Sequence, residues 1–67
     1  MDVGTFIRNA RETLGLSQRE LVAKANARFT STTISRSTLA ELERGVRGIS
    51  MTRLNMLTST LSRLGIK

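Results

Sequence analysis

The chain has 67 residues, with 11 Lys or Arg against 5 Asp or Glu, a formal net charge of +6, and neither Cys nor His. A chain this short buries only roughly 60% of the surface its unfolded form exposes, so one modest core is expected, in a single domain over residues 1–67. With no Cys or His there is no disulfide framework and none of the usual soft or borderline metal ligands, so no metal site, no cofactor and no thiol or imidazole catalyst is expected.

Apolar runs are short, Leu21-Val22-Ala23 being typical, and none spans a bilayer. The segment Met1-Asp2-Val3-Gly4 has no basic stretch leading into an apolar one, so a cytoplasmic location and no membrane partner are expected. Phe6 and Phe29 are the only aromatics, a poor supply of stacking platforms for single strands or RNA loops.

Taken in chain order, Val3, Phe6, Ile7, Ala10 and Leu14 share one helical face and predict a first helix from about Val3 to Leu14. Gly15 stands where a left-handed C-terminal residue is wanted, and Leu16 can fold back on the helix it leaves. Ser17-Gln18-Arg19-Glu20 is a capping box that opens a second helix with Leu21, Val22, Ala25 and Phe29 as its inward stripe. Thr30 to Thr33 are β-branched or hydroxyl residues and break it.

Ser35 is an N-cap for a short third helix, about nine residues long, whose inward contacts are Leu39 and Leu42 and whose end is Gly45. Gly45-Val46-Arg47-Gly48-Ile49 reads as a loop. Ser50 then caps a fourth helix carrying Leu54, Leu57, Leu61 and Leu64, stopped by Gly65. No segment alternates with period two for long enough to predict a strand, so the fold class is all-α.

The elements Leu14-Gly15-Leu16-Ser17-Gln18 and Ser35-Arg36-Ser37-Thr38-Leu39-Ala40-Glu41-Leu42-Glu43-Arg44-Gly45 resemble the helix-turn-helix family of phage Cro and lambdoid repressors, the XRE-like regulators. The resemblance covers roughly residues 5 to 65. It implies a lambda-repressor-like bundle of four to five helices whose third helix lies in the major groove of double-stranded DNA. Arg36, Ser37 and Ala40 then face the groove with Glu41 at its margin, and Arg36 is the leading base reader because arginine bonds guanine O6 and N7 together. Gln18 matches a family position that holds a phosphate beside a helix N-terminus, and Arg19, Arg44 and Arg47 join it as phosphate contacts. A surface arginine is as readily a solvated side chain, and Arg19, Arg28, Arg53 and Arg63 stand open between the two. Arg11 and Glu43 correspond to a structural pair tying the first helix to the third.

Two departures from the pattern carry expectations of their own. The stretch from Asn26 to Thr33 makes the turn before the third helix larger than the family's, so either the second helix runs on to about Phe29 or the loop forms a surface of its own. Family members commonly continue into a fifth helix where this sequence stops at Lys67, so Leu57, Leu61, Leu64 and Ile66 are expected to be partly uncovered and to form a dimer or partner interface.

The functional expectation is a sequence-specific transcriptional regulator, a repressor binding a palindromic operator as a homodimer, cytoplasmic and nucleoid-associated when on DNA. A +6 chain is drawn to a duplex before any base is read, because neutralised phosphates release counterions. The alternative is an antitoxin that binds a toxin partner and autoregulates its operon. An enzyme is not expected: Glu41 and Glu43 stand two apart on a helix and point in different directions.

Overall fold

Every helix of this protein starts on a short polar side chain that accepts a hydrogen bond from the first turn's free N–H groups. The computed structural model describes residues 2–45 and 50–65, and within them the order is α1 (Val3–Thr13), α2 (Gln18–Arg28), α3 (Arg36–Arg44) and α4 (Met51–Arg63), with no strand among the described residues. Asp2 accepts from Thr5 N–H at 2.7 Å, Ser17 from Glu20 at 3.0 Å, Ser35 from Thr38 at 3.1 Å and Ser50 from Arg53 at 3.3 Å. The capping box is closed in both directions, since the Ser17 N–H donates to Glu20 Oε1 at 2.8 Å. These contacts satisfy backbone donors that a helix leaves orphaned at its start.

The ends are equally local in origin. After α1, Gly15 adopts φ 72°. Its N–H donates to Glu12 C=O and that of Leu16 to Arg11 C=O, both at 3.0 Å, the two bonds of a Schellman motif. Gly45, also at φ 72°, ends α3 in the same left-handed region. α2 runs to Arg28 with Phe29 as its extended, half-buried C-cap, so the second helix does run on to about Phe29, and a shorter loop leads from there to α3.

The core gathers Ile7 and Ala10 of α1, Leu21 and Ala25 of α2, Ile34 just before α3, Leu39 and Leu42 of α3, and Met56, Leu57 and Leu61 of α4. On α1 the expected face holds at Ile7, Ala10 and Leu14, the first two buried and the third packed on the core, but Val3 and Phe6 are exposed and Gly4 is buried in their place. The reason lies on α3. Gly4 sits so close to the Leu42 carbonyl that a Cβ there would collide with the oxygen and come within 3.3 Å of Glu43 Cα. Docking at that point turns Val3 and Phe6 outward.

On α4 the buried stripe is Met56, Leu57, Thr60 and Leu61. Leu57 and Leu61, 0% and 1% exposed, are covered by the chain's own α1 and α2, which both pack on α4. This corrects the expectation that they form an uncovered interface, because four helices already close over that face. Leu64 does reach the surface, at 37% exposed. Ile66, like Arg47 in the loop before α4, lies outside the described residues.

Two outcomes follow from these local devices. Gly4→Ala is expected to destabilise the fold by about 1–3 kcal/mol through overpacking against α3. A thermal melt checks it, and a gain of about 1 kcal/mol, the usual return for alanine in an open helix, would show the contact to be loose. The backbone N–H of Thr5 holds the Asp2 carboxyl below its ordinary range, and that of Ser17 does the same for Glu20. A depressed folded value means stability present above the unfolded pKa and lost as pH falls through the folded one, so melting temperature should drop below about pH 4. Glu20→Gln keeps a capping acceptor without a titrating group, and its melting temperature should fall less steeply over the same acid range.

Candidate nucleic-acid interface

An arginine near the end of α1 organises the face on which α2 and α3 meet. Arg11 Nε donates to Glu43 Oε2 at 2.8 Å and Nη2 to Oε1 at 3.0 Å, a two-pronged pair in which both carboxylate oxygens are used. Its Nη1 donates to the Leu16 carbonyl at 2.8 Å, which the turn at Gly15 brings within reach. Gln18 Nε2 donates to Glu43 Oε1 at 3.1 Å. One carboxylate therefore joins α1, α2 and α3. The side chains of Arg11 and Glu43 are only 11% and 4% exposed.

The hydrogen bond from Glu43 raises the Arg11 pKa above its ordinary value. A raised folded value means that this contribution is complete below the unfolded pKa and lost only as pH rises through the folded one, in the strongly alkaline range. The strut is thus intact at any neutral pH.

With Leu39 and Leu42 turned into the core, the helical period puts Arg36, Ser37, Ala40, Glu41 and Arg44 on the opposite arc of α3. Arg36, Ser37 and Arg44 are exposed, while Ala40 and Glu41 are half-buried. A helix with its side chains is about 10–12 Å across, which suits α3 to a major groove about 12 Å wide. Ser35 and Thr38 stand apart from this arc, joined hydroxyl to hydroxyl at 3.0 Å in the cap.

Beside the arc lies an open depression lined by Arg8, Arg11, Glu12, Gln18, Ala40, Glu43 and Arg44. Gln18 is at the first residue of α2, next to its free N–H groups, and the bond to Glu43 holds its amide in place there. Arg19 is exposed on the next residue and does not line the depression. Arg28 is drawn away to α4, donating to Ser59 C=O at 3.1 Å. Sequence reasoning passed over Arg8, which brings a further cation to the depression. Its spacing of three from Arg11 was the available signal. Its bridge to Glu12, 3.4 Å long with both side chains more than half exposed, is of the kind worth little to stability, so the charge remains usable.

The arrangement suits a polyanion with a readable edge: cations at the mouth of a depression, a helix N-terminus, and a helix whose first turn is exposed. Comparison with known families agrees, since the helix-turn-helix family profile matches residues 7–63. No curated protein and no solved structure matches the chain.

Strut and arc differ in what their loss should do. Arg11→Ala leaves a nearly buried carboxylate without its countercharge and is expected to cost about 3–5 kcal/mol. Arg11→Lys, which keeps the charge but not the fork, should fall between that variant and wild type. Arg36→Ala, on the exposed arc, should melt within about 0.5 kcal/mol of wild type. Chemical denaturation of the three variants measures the differences, and an Arg11→Ala protein as stable as wild type would remove the strut from the account.

Proposed function

Because this chain belongs to the XRE-type helix-turn-helix family and is a transcription regulator that binds double-stranded DNA, we propose that it is a repressor that reads a palindromic operator as a homodimer. The family is one of DNA-binding proteins and not typically of enzymes. The observation that carries the proposal is the outer arc of α3, where Arg36 and Ser37 stand exposed in the first turn while the opposite side is committed to the core.

Arg36 is the principal base reader, through paired hydrogen bonds to guanine O6 and N7, worth roughly 1–3 kcal/mol of discrimination. Ser37, Ala40 and Glu41 complete the reading surface. Gln18, Arg19, Arg44 and Arg47 hold phosphates and set the register without reading sequence. Residues 1–67 act as one DNA-binding unit in this reading.

A single nine-residue helix touches only a few base pairs, too few to single out a genomic site. Two copies related by a two-fold axis double the readout and place their α3 helices one DNA turn apart, roughly 34 Å. Repression is the simplest consequence of occupying such a site, since the bound dimer excludes other proteins from it. Among the described residues no helix is long and apolar enough to cross a membrane.

Selection of bound duplexes from a randomised library, at about 150 mM salt so that weak long-range attraction is screened, tests the proposal. Enrichment of a palindrome by wild type and its loss with Arg36→Ala are expected. Enrichment of a single half-site would remove the dimer. No enrichment at all would favour the antitoxin reading, in which a toxin partner completes the binding unit.

A further inference from the structure

The connection from α2 to α3 runs over residues 29–35, longer than the three or four residues of a tight helix-turn-helix turn. Leu39 and Leu42 in the core set the phase of the following helix, but a connection of that length does not by itself fix where its first turn stands. Here Asn26, half-buried near the end of α2, spends both ends of its amide on one residue. Its Nδ2 donates to the Ile34 carbonyl at 3.0 Å, and its Oδ1 accepts from the Ile34 N–H at 2.9 Å. Paired residues of an antiparallel sheet exchange bonds in this way, and a side chain here replaces one of the strands.

A second tie comes from α4, where Arg53 Nε donates to the Thr33 carbonyl at 3.2 Å. Ile34 itself is buried in the core. The two residues so held come directly before Ser35, the cap of α3, and Arg36, its first residue. At the other end, Glu43 is held by Arg11 and Gln18. α3 is consequently attached at both ends, and the attachment nearer the base-reading turn is the one made by Asn26.

We infer that Asn26, seconded by Arg53, is a positioning residue for base readout: its clasp on Ile34 fixes the place of the first turn of α3, the task a tight turn performs in a shorter connection. Without it α3 keeps its hold at Glu43 and pivots there, which moves Arg36 most. A bidentate contact tolerates little displacement, so readout suffers before the fold does. Phosphate binding is less demanding of angle and survives. The inference rests on the reading of α3 as the base-reading helix.

The test compares wild type, Asn26→Ala, Arg36→Ala and the double variant, each at a temperature where it is folded, on the selected operator and on a scrambled duplex of equal length. Asn26→Ala should lower the ratio of operator to scrambled affinity by about tenfold, the size of one lost bidentate contact, with the scrambled affinity unchanged. In the Arg36→Ala background the same substitution should add little, because the two act through one contact. Equal losses on both duplexes, or full additivity with Arg36→Ala, would overturn the inference. Should Asn26→Ala not fold, Asn26→Asp keeps the acceptor for the Ile34 N–H but sets a carboxylate oxygen against the Ile34 carbonyl in place of the donor, and the affinity ratio cancels the effect of its added charge on phosphate attraction.

Amide hydrogen exchange in the free protein separates this inference from the reading it rests on. Faster exchange in Asn26→Ala at Ile34 and through Thr38, with Glu43 to Gly45 unchanged, supports the clasp even if wild type shows no operator preference. Exchange that is unaltered, or raised uniformly along α3, would dismiss it.

Discussion

The paired contact of Arg11 with Glu43 is the constraint on which the arrangement of α1, α2 and α3 depends. Two charges at 11% and 4% exposure have given up most of their hydration, and such a pair holds only when its remaining donors and acceptors are also satisfied. Here they are, by Leu16 C=O on the guanidinium and Gln18 on the carboxylate. The planar fork fixes direction as well as distance, so the pair sets the angle at which α3 crosses α1. It requires Gly15 in the left-handed region, because only that turn returns the Leu16 carbonyl toward the helix that carries Arg11. It also requires Gly4, whose missing side chain lets the start of α1 approach the end of α3.

α3 is a helix with two separate tasks, divided by face. Leu39 and Leu42 belong to the core, Glu43 to the strut, and Arg36, Ser37, Ala40, Glu41 and Arg44 to the outside. The exposed Arg36, Ser37 and Arg44 of the outer face lie away from the core and are open to a ligand. The general +6 charge draws any duplex, and the exposed side chains on that face supply the difference between one duplex and another.

Much of this was legible in the residues. Ser17, Ser35 and Ser50 announce helix starts, and Gly15 and Gly45 announce ends, because capping is decided within a few residues of the chain. The arc of α3 was legible too, since Leu39 and Leu42 orient the helix. Asp2 was missed as a cap although it stands in the same relation to Thr5 as the serines do to their partners. The inward face of α1 was legible at Ile7, Ala10 and Leu14 and misjudged only at Val3 and Phe6, because the start of the helix docks through a glycine. The stripe of α4 was right at Leu57 and Leu61 and incomplete, since Met56 and Thr60 are buried beside them while Leu64 reaches the surface.

By itself the sequence determined four helices, their limits, the surplus of positive charge and the membership of a DNA-binding family. These are local or compositional properties, set by periodicity, caps and counted side chains. Only the tertiary structure decided which cations share a depression, that Gln18 is held by Glu43, that Leu57 and Leu61 are internal, and that Asn26 fastens the long turn. The two hydrogen-bonded pairings among these join residues 8 and 25 positions apart, and no local preference encodes them. They exist because packing ten apolar side chains into one core brings distant segments together, and polar groups buried beside it mostly pair there.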